Sequence, residues 1–241
     1  MKKLTIISHI YNEEYLLHWW LKHHKDIADH GIIIDYHSTD RSLEIVKEIC
    51  PDWTIITSRN EKFQADLVDA EVMDIESTID GFKLCLNTTE FFVPKEDLNE
   101  LFDDQLPNIA YKIARARIID NDETNIVSPE ESLVEKKNFG FIGDDFNWAE
   151  FKYRYSHNYK TGEYTLGRHS CWLPNIKNIE SLIYQYQFAP WTPEFIARKL
   201  QIKNNIPDSD KEVGLGTHHF WTYETMLNVK QYFLERSTII N

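Results

Sequence analysis

The chain has no glycine-rich phosphate loop. Neither a G-x-G-x-x-G turn nor a P-loop lysine motif occurs, which excludes the most familiar dinucleotide and nucleoside-triphosphate enzymes. Cysteine is scarce: Cys50, Cys85 and Cys171 are odd in number, far apart and set in apolar surroundings. That spacing excludes a disulfide framework and a structural zinc site. It predicts reduced, mostly buried thiols in a cytoplasmic protein. No stretch approaches eighteen consecutive apolar residues, so no integral membrane segment is expected. The opening "MKKLTIISHIYNEE" is too short in its apolar run and too polar at Asn12, Glu13 and Glu14 for a signal peptide. Positive charge is in the minority, 26 Lys and Arg against 39 Asp and Glu, a net −13. That field disfavours nucleic acid and anionic lipid as partners, yet a local basic pocket still admits an anionic ligand. There is no internal repeat and no flexible linker.

What is present is a globular composition, 42% hydrophobic and 13% aromatic, with length enough for one large α/β unit. The first hundred residues alternate between two periodicities. "LTIISHIY", "GIIIDY", "WTIITS" and "GFKLCLN" read as buried strands. Between them, residues 12–31, 38–50 and 63–78 have helical spacing. Leu16, Leu17, Trp20, Leu21, Ile27 and Ala28 share one face of the first, with Asn12 as cap and Gly31 past the end. Ser38 or Thr39 is expected to cap the second, and Pro51 to stop it. Strands and helices in this rhythm predict a parallel sheet with right-handed crossovers. Beyond Pro94 the rhythm changes. "IAYKIARARIID" reads as a long strand with a basic face, 120–148 as acidic loop with a short helix, and "FKYRYSHNY" with "GEYTLGRHSCWLP" as strand or hairpin. Helices are expected at 192–204, with Thr192 as cap and Pro193 in the first turn, and at 222–236.

Open parallel sheets bind ligands outside the carboxyl ends of their strands. Here those ends are polar: Tyr11-Asn12-Glu13, "DYHSTD", Ser58-Arg59-Asn60 and "NTTE". Asp35 is placed either to accept from base or ribose hydroxyl donors or simply to cap the following turn. Ser38 and Thr39 are better suited to capping than to phosphate binding.

"HIYNEEYLLHWWLKHH" followed by "IIIDYHSTDRSLEIVKE" resembles the N-terminal half of family 2 type glycosyltransferases of GT-A fold. The likeness is to a bacterial subgroup with N-E-x-x-x-L-x-x-W and then D-x-x-S-T-D. "DGFKLCLNTTEFFVP" is similar to that subgroup's segment carrying a D-x-D pair, and "FAPWTPEFIARKLQ" and "GLGTHHFW" to its C-terminal stretches. The resemblance implies a GT-A-like α/β fold: a mostly parallel, Rossmann-like sheet flanked by helices, with a mixed α+β C-terminal half. It implies one domain over 1–241, with 1–94 binding the nucleotide and 95–241 the acceptor. The activity implied is transfer of a sugar from a nucleotide-sugar donor to a glycan or polysaccharide hydroxyl, with inversion.

Carried over by position, Asn12 and Glu13 flank the nucleotide, and Asp35 holds its base or ribose. Asn87 and Thr89 stand where metal-binding aspartates usually stand, and Glu90 keeps the acid that follows. Arg198, Lys199, His218 and His219 meet the diphosphate or acceptor. Asn87 and Thr89 are poor ligands for a hard cation, so no cofactor is firmly implied. Either Glu90 with a distant group holds a weaker Mn2+ or Mg2+, or protein cations do the work. Arg168, Arg198, Lys199 and the His218–His219 pair are available for that, and transfer with little or no metal dependence is the favoured reading. An inverting transfer needs a base. Glu150, Glu194, Asp208, Asp210 and Glu212 are eligible, with Asp210 or Glu212 preferred.

His18 and His23 suit solvent or packing. Trp148, Trp172, Trp191 and Trp221 suit packing or, if two line one cleft, sugar stacking. The alternative reading is a catalytically inactive nucleotide- or carbohydrate-binding protein of the same fold. A nucleotidyltransferase is more remote, since it needs its own acidic metal site and an early basic loop.

Overall fold

The structure, a computed structural model, describes residues 4–143, 153–214, 216 and 220–240. Its first half is a four-stranded parallel sheet. Strand β1 (Leu4–Ile10) lies between β2 (His30–Asp35) and β4 (Phe82–Cys85), and β3 (Thr54–Thr57) pairs outside β2, all parallel. The crossovers are α1 (Glu14–Lys25), α2 (Ser42–Ile49) and α3 (Ala65–Glu76). Side chains alternate across a strand, which divides the isoleucines between two layers. Ile6, Ile10, Ile33 and Leu84 pack in the cluster that holds α1 and α2. Ile7, Ile32, Ile34 and Cys85 pack under Val68 and Val72 of α3. Burial on both faces explains why β1, β2 and β4 read as continuous apolar runs; β3, expected to be buried, is the edge strand and has no buried residue.

The second half extends the same sheet. It comprises β5 (Glu90–Val93), α4 (Leu98–Leu101), β6 (Ala110–Ile119), α5 (Leu133–Lys136), β7 (Phe139–Ile142) and β8 (Arg154–His157). Then follow β9 (Ile176–Phe188), α6 (Pro193–Gln201), α7 (Asp208–Glu212), α8 (Tyr223–Leu234) and β10 (Thr238–Ile239). The order is β10-β7-β6-β8-β4-β1-β2-β3, with β9 beside β6 and β5 beside β9. Strand β8 joins the halves by pairing antiparallel to both β4 and β6. The pairing of β6 with β9 is parallel, and β5 runs antiparallel to β9. The fold is mixed α/β, a helix-flanked central sheet whose N-terminal part is parallel and whose C-terminal part is mixed. Trp20 of α1 is fully buried and donates its indole N–H to the Glu90 carbonyl at 2.9 Å, tying the first crossover to β5. Among the described residues no helix is long and apolar enough to cross a membrane.

Several expected boundaries move. The first helix ends at Lys25, and Gly31 lies inside β2, where a Cβ would meet the Trp53 ring at 2.0 Å. That glycine serves close packing and not a helix end. The 13-residue β9 has no counterpart in the sequence reading. Its first half is exposed and its second half buried, so no single periodicity runs its length. In the expected hairpin at 162–174 only the Tyr164–Cys171 bridge forms, around a tight turn at Leu166–Arg168. Thr192 caps α6 as expected, accepting from the Phe195 N–H. All three cysteines are free and buried.

Candidate active site

The strand order reverses at β1, whose neighbours β2 and β4 are reached by connections leaving in opposite directions. In open α/β sheets, ligands bind outside the strand carboxyl ends at such a reversal. The loops around it are bonded to one another. Asn12 adopts a positive φ of 51°, a conformation asparagine tolerates. Its Oδ1 accepts from the N–H groups of Thr39 at 2.7 Å and Asp40 at 3.3 Å. Its own N–H donates to Ser38 Oγ at 3.1 Å. Asp40 accepts from the N–H of Glu14 at 3.0 Å and of Ser42 at 2.9 Å, and Ser42 Oγ accepts from the Glu13 N–H at 2.8 Å.

The start of α1 is therefore satisfied by the loop before α2, and the start of α2 by its own Asp40. This corrects the expected caps, because Asn12 does not cap α1, and α2 starts at Ser42 without Ser38 or Thr39 as its cap. The Asn12 side chain clamps the two loops together. Asp35 is buried, and its Oδ1 accepts from the Ser38 N–H at 3.0 Å, which is the turn-capping role.

Three guanidinium groups from distant parts of the chain hydrogen-bond to segment 87–90, at the end of β4, and a fourth, that of Arg115, lies 3.9 Å from Glu90 Oε1. Arg154 on β8 donates from Nε and Nη2 to the two Glu90 oxygens, each at 2.8 Å. Arg168 donates from Nη2 to Asn87 Oδ1 at 3.3 Å. Arg198 on α6 donates from Nη2 to Thr88 Oγ1 at 3.1 Å. Each also has a carboxylate partner: Glu90 for Arg154, Asp69 on α3 for Arg168, and Glu13 for Arg198. The Arg154–Glu90 and Arg198–Glu13 pairs are bidentate, and charge-assisted pairs of that kind are directional as well as strong. Burial raises the Glu13 carboxyl above its ordinary value, and the Arg198 charge offsets only part of that. At Glu90 burial pushes up as well, but Arg154 and then Arg115 outweigh it, and the group is held below the usual carboxylate range.

The predicted site residues divide accordingly. Glu13, Asn87, Arg198 and Glu90 meet in one network, but Glu90 does not present an acid to a reactant. It is fully buried, and Oε2 also accepts the Asn87 N–H at 2.9 Å. Thr89 is half-buried, and its carbonyl accepts from the Tyr186 N–H at 2.7 Å. Lys199 is adjacent in sequence to Arg198 but faces elsewhere, with its ammonium 4.6 Å from the Phe188 ring centroid and 5.4 Å from that of Trp221. Burial, then the charges of Arg198 and Arg117, lowers it to about 7. Asp210 is not free to act as a base, since it is buried and accepts from the Ala65 N–H at 3.0 Å at the start of α3. Glu212 is exposed. His218, His219, Trp148 and Glu150 lie outside the described residues.

His23 packs inside, its Nε2 at 2.7 Å from the Phe92 carbonyl. Trp191 is buried and stacked on Phe188, whereas Trp172 is 81% exposed.

Sequence reasoning missed Asp69, Thr88 and Arg154. The signal was present in part: Asp69 lies beside Val68 and Val72 on the buried side of α3, and an acid there calls for a buried partner. A second missed group is aromatic. Tyr36 stacks on Phe63 with centroids 4.4 Å apart, and His9 and Tyr11 approach Phe63 at 5.9 and 6.1 Å. Burial, then Arg168 and Arg154, holds His9 well below the ordinary imidazole value.

A hard dication needs oxygen donors directed at one point. At segment 87–90 the Asn87 carbonyl oxygen, the Thr88 hydroxyl and both Glu90 oxygens are turned toward guanidinium groups. The residues present do not fit Mn2+ or Mg2+ there.

No known family model matches the chain, and no curated protein matches it. Among solved structures it is similar to S. aureus TarS 1–349, at 17% identity and a TM-score of 0.37 over 50% of this chain and 37% of that one. The same protein in complex with UDP-GlcNAc is similar at 13% identity and a TM-score of 0.42, over 84% of this chain and 66% of that one. Glucosyl-3-phosphoglycerate synthase from Mycobacterium tuberculosis, in complex with Mn2+, UDP and glucosyl-3-phosphoglycerate, is similar at 12% identity and a TM-score of 0.41. The match covers 86% of this chain and 82% of that one. The chain spans well under half the length of the first TarS structures it matches, 37% of one and 25% of another.

Proposed function

We propose that the protein transfers a sugar from a nucleotide-sugar donor to a hydroxyl of a glycan or polysaccharide acceptor, with inversion and without a metal ion. In that reaction the acceptor oxygen attacks the anomeric carbon, the carbon–oxygen bond to the diphosphate breaks, and the acceptor proton passes to a base. The observation that carries the reading is the convergence of Arg154, Arg168 and Arg198 on segment 87–90, at the reversal of strand order. Fixed positive groups aimed at a leaving diphosphate stabilise the charge that develops on it. The aromatic group of Tyr11, Tyr36 and Phe63 with Asp35 suits a nucleobase and ribose beside them. Glu212 is retained as the base because Asp210 is occupied at the start of α3.

Binding of UDP, GDP and CMP sugars, followed calorimetrically with chelator present, tests this. At least one is expected to bind at micromolar to millimolar concentration and to turn over with an acceptor. If none binds at millimolar concentration, the reading fails. One observation favours the alternative of a binding protein without turnover: each of the three guanidinium groups is already paired with a carboxylate. Binding without donor hydrolysis or transfer across an acceptor panel would establish that alternative.

A further inference from the structure

Around segment 87–90 the hydrogen bonds close into a ring. The Asn87 N–H donates to Glu90 Oε2 at 2.9 Å, and Glu90 is gripped by Arg154. Arg154 Nη1 donates to the carbonyl oxygens of Gly167 and Arg168, each at 3.0 Å. Arg168 then returns to Asn87 through Nη2 and Oδ1 at 3.3 Å. Asp69 locks the far side of the ring, pairing with Arg168 and accepting from the Gly167 N–H at 2.6 Å. The turn it locks is unusual, because Gly167 at φ 76° is followed by Arg168 at φ 58°. Two successive left-handed residues, one of them arginine, persist only where the surroundings hold them. Arg154 on the carbonyls and Asp69 on the amide do so.

The ring determines the polarity of Asn87. A guanidinium only donates, so the amide oxygen must face Arg168 and both Nδ2 hydrogens point away from it. Asn87 is half-buried at the reversal of strand order.

We propose that Asn87 binds the donor's diphosphate directly, as a hydrogen-bond donor oriented by Arg168, so that a fixed amide and its ring take the place of a metal-holding acid. The inference rests on the nucleotide-sugar reading above and makes the residue's polarity, opposite to that of an aspartate, the specific claim. Asp69 and Arg154 act through Arg168 and are positioning residues.

The test is UDP affinity of the purified protein, measured in chelator and again in Mn2+, for the wild type, Asn87→Asp and Asn87→Ala. Wild-type binding is expected to be the same in both media. Asn87→Asp should weaken it about tenfold or more, the scale of one lost hydrogen bond to a charged group joined to a new repulsion. Mn2+ should not restore it, and Asn87→Ala should fall between. Variants that bind within twofold of the wild type overturn the proposal, as does Mn2+-dependent binding by the wild type. If Asn87→Asp does not fold, Asn87→Ala and the wild-type metal comparison decide. Failure of the wild type to bind UDP, GDP or CMP sugars counts against the nucleotide-sugar reading itself; loss confined to the variants counts for Asn87.

Discussion

Both sides of the molecule bury positive charge against carboxylates, but among the described residues only one adds aromatic rings. On the side of β1 and β4, Arg154, Arg168 and Arg198 each meet a carboxylate and then a group on segment 87–90. On the side of β6, β9 and α8, cations lie over aromatic rings. Lys199 is over Phe188, Arg117 is 4.5 Å from the Phe233 centroid, and Lys230, paired with Glu123 at 2.6 Å, is 5.3 Å from that of Trp191. A guanidinium fork matched to a carboxylate fixes position and direction. A cation on a ring gains attraction and apolar contact with little directional demand. The first arrangement suits a site whose groups must point, the second a core that must be filled.

Breaking a pair on the first side should cost most. Arg154→Leu leaves Glu90 buried with its bidentate partner gone and only Arg115, 3.9 Å away, opposite it, and unfolding in urea should show a loss of about 3 kcal/mol. A loss under about 1 kcal/mol would mean that the ring does not hold segment 87–90.

The second side should respond with the opposite sign. Lys199 is lowered from 10.5 to about 7, so between those values the unfolded chain binds a proton that the folded chain does not. Stability should therefore rise with pH from about 7 to about 10 and be level below that window. Lys199→Met should abolish the slope and stabilise the protein by about 2 kcal/mol at pH 7, below the ceiling such a shift sets. Equal slopes in variant and wild type would contradict the assignment.

Glu13→Gln sharpens the comparison inside the site. It keeps oxygen and nitrogen near Arg198 while removing the charge that competes with a diphosphate. UDP affinity should rise about threefold to tenfold, roughly 1 kcal/mol, and an unchanged dissociation constant would show that Arg198 does not meet the nucleotide. The smallest effect is expected at the surface, where Arg41→Ala removes exposed pairs with Glu44 and Glu48 and should shift stability by less than about 0.5 kcal/mol.

Local pattern was a good guide to the first half of the fold and a poor one to the network. The isoleucine-rich strands and the α1 face announce themselves because each side chain's burial follows from a period of 2 or 3.6. Boundaries slipped where a loop took the capping role, as Asp40 and Ser42 did in place of Asn12 and Ser38. Arg198 was legible by position, yet its partner Glu13 lies 185 residues away in sequence, and no local pattern joins them. Asp210 looked like an available acid until its bond to the start of α3 was visible, 145 residues away.

By itself the sequence determined the α/β rhythm, the polar strand ends, the buried thiols and the neutral residues at 87 and 89. All of these depend on side-chain chemistry repeated at short range. Only the tertiary structure decided that Asn87 faces Arg168 with its oxygen, that Glu90 is an anchor, and that the cations near Lys199 belong to packing. Those outcomes depend on which distant groups arrive within hydrogen-bond reach, and in a buried place of low polarity that proximity sets both charge and direction.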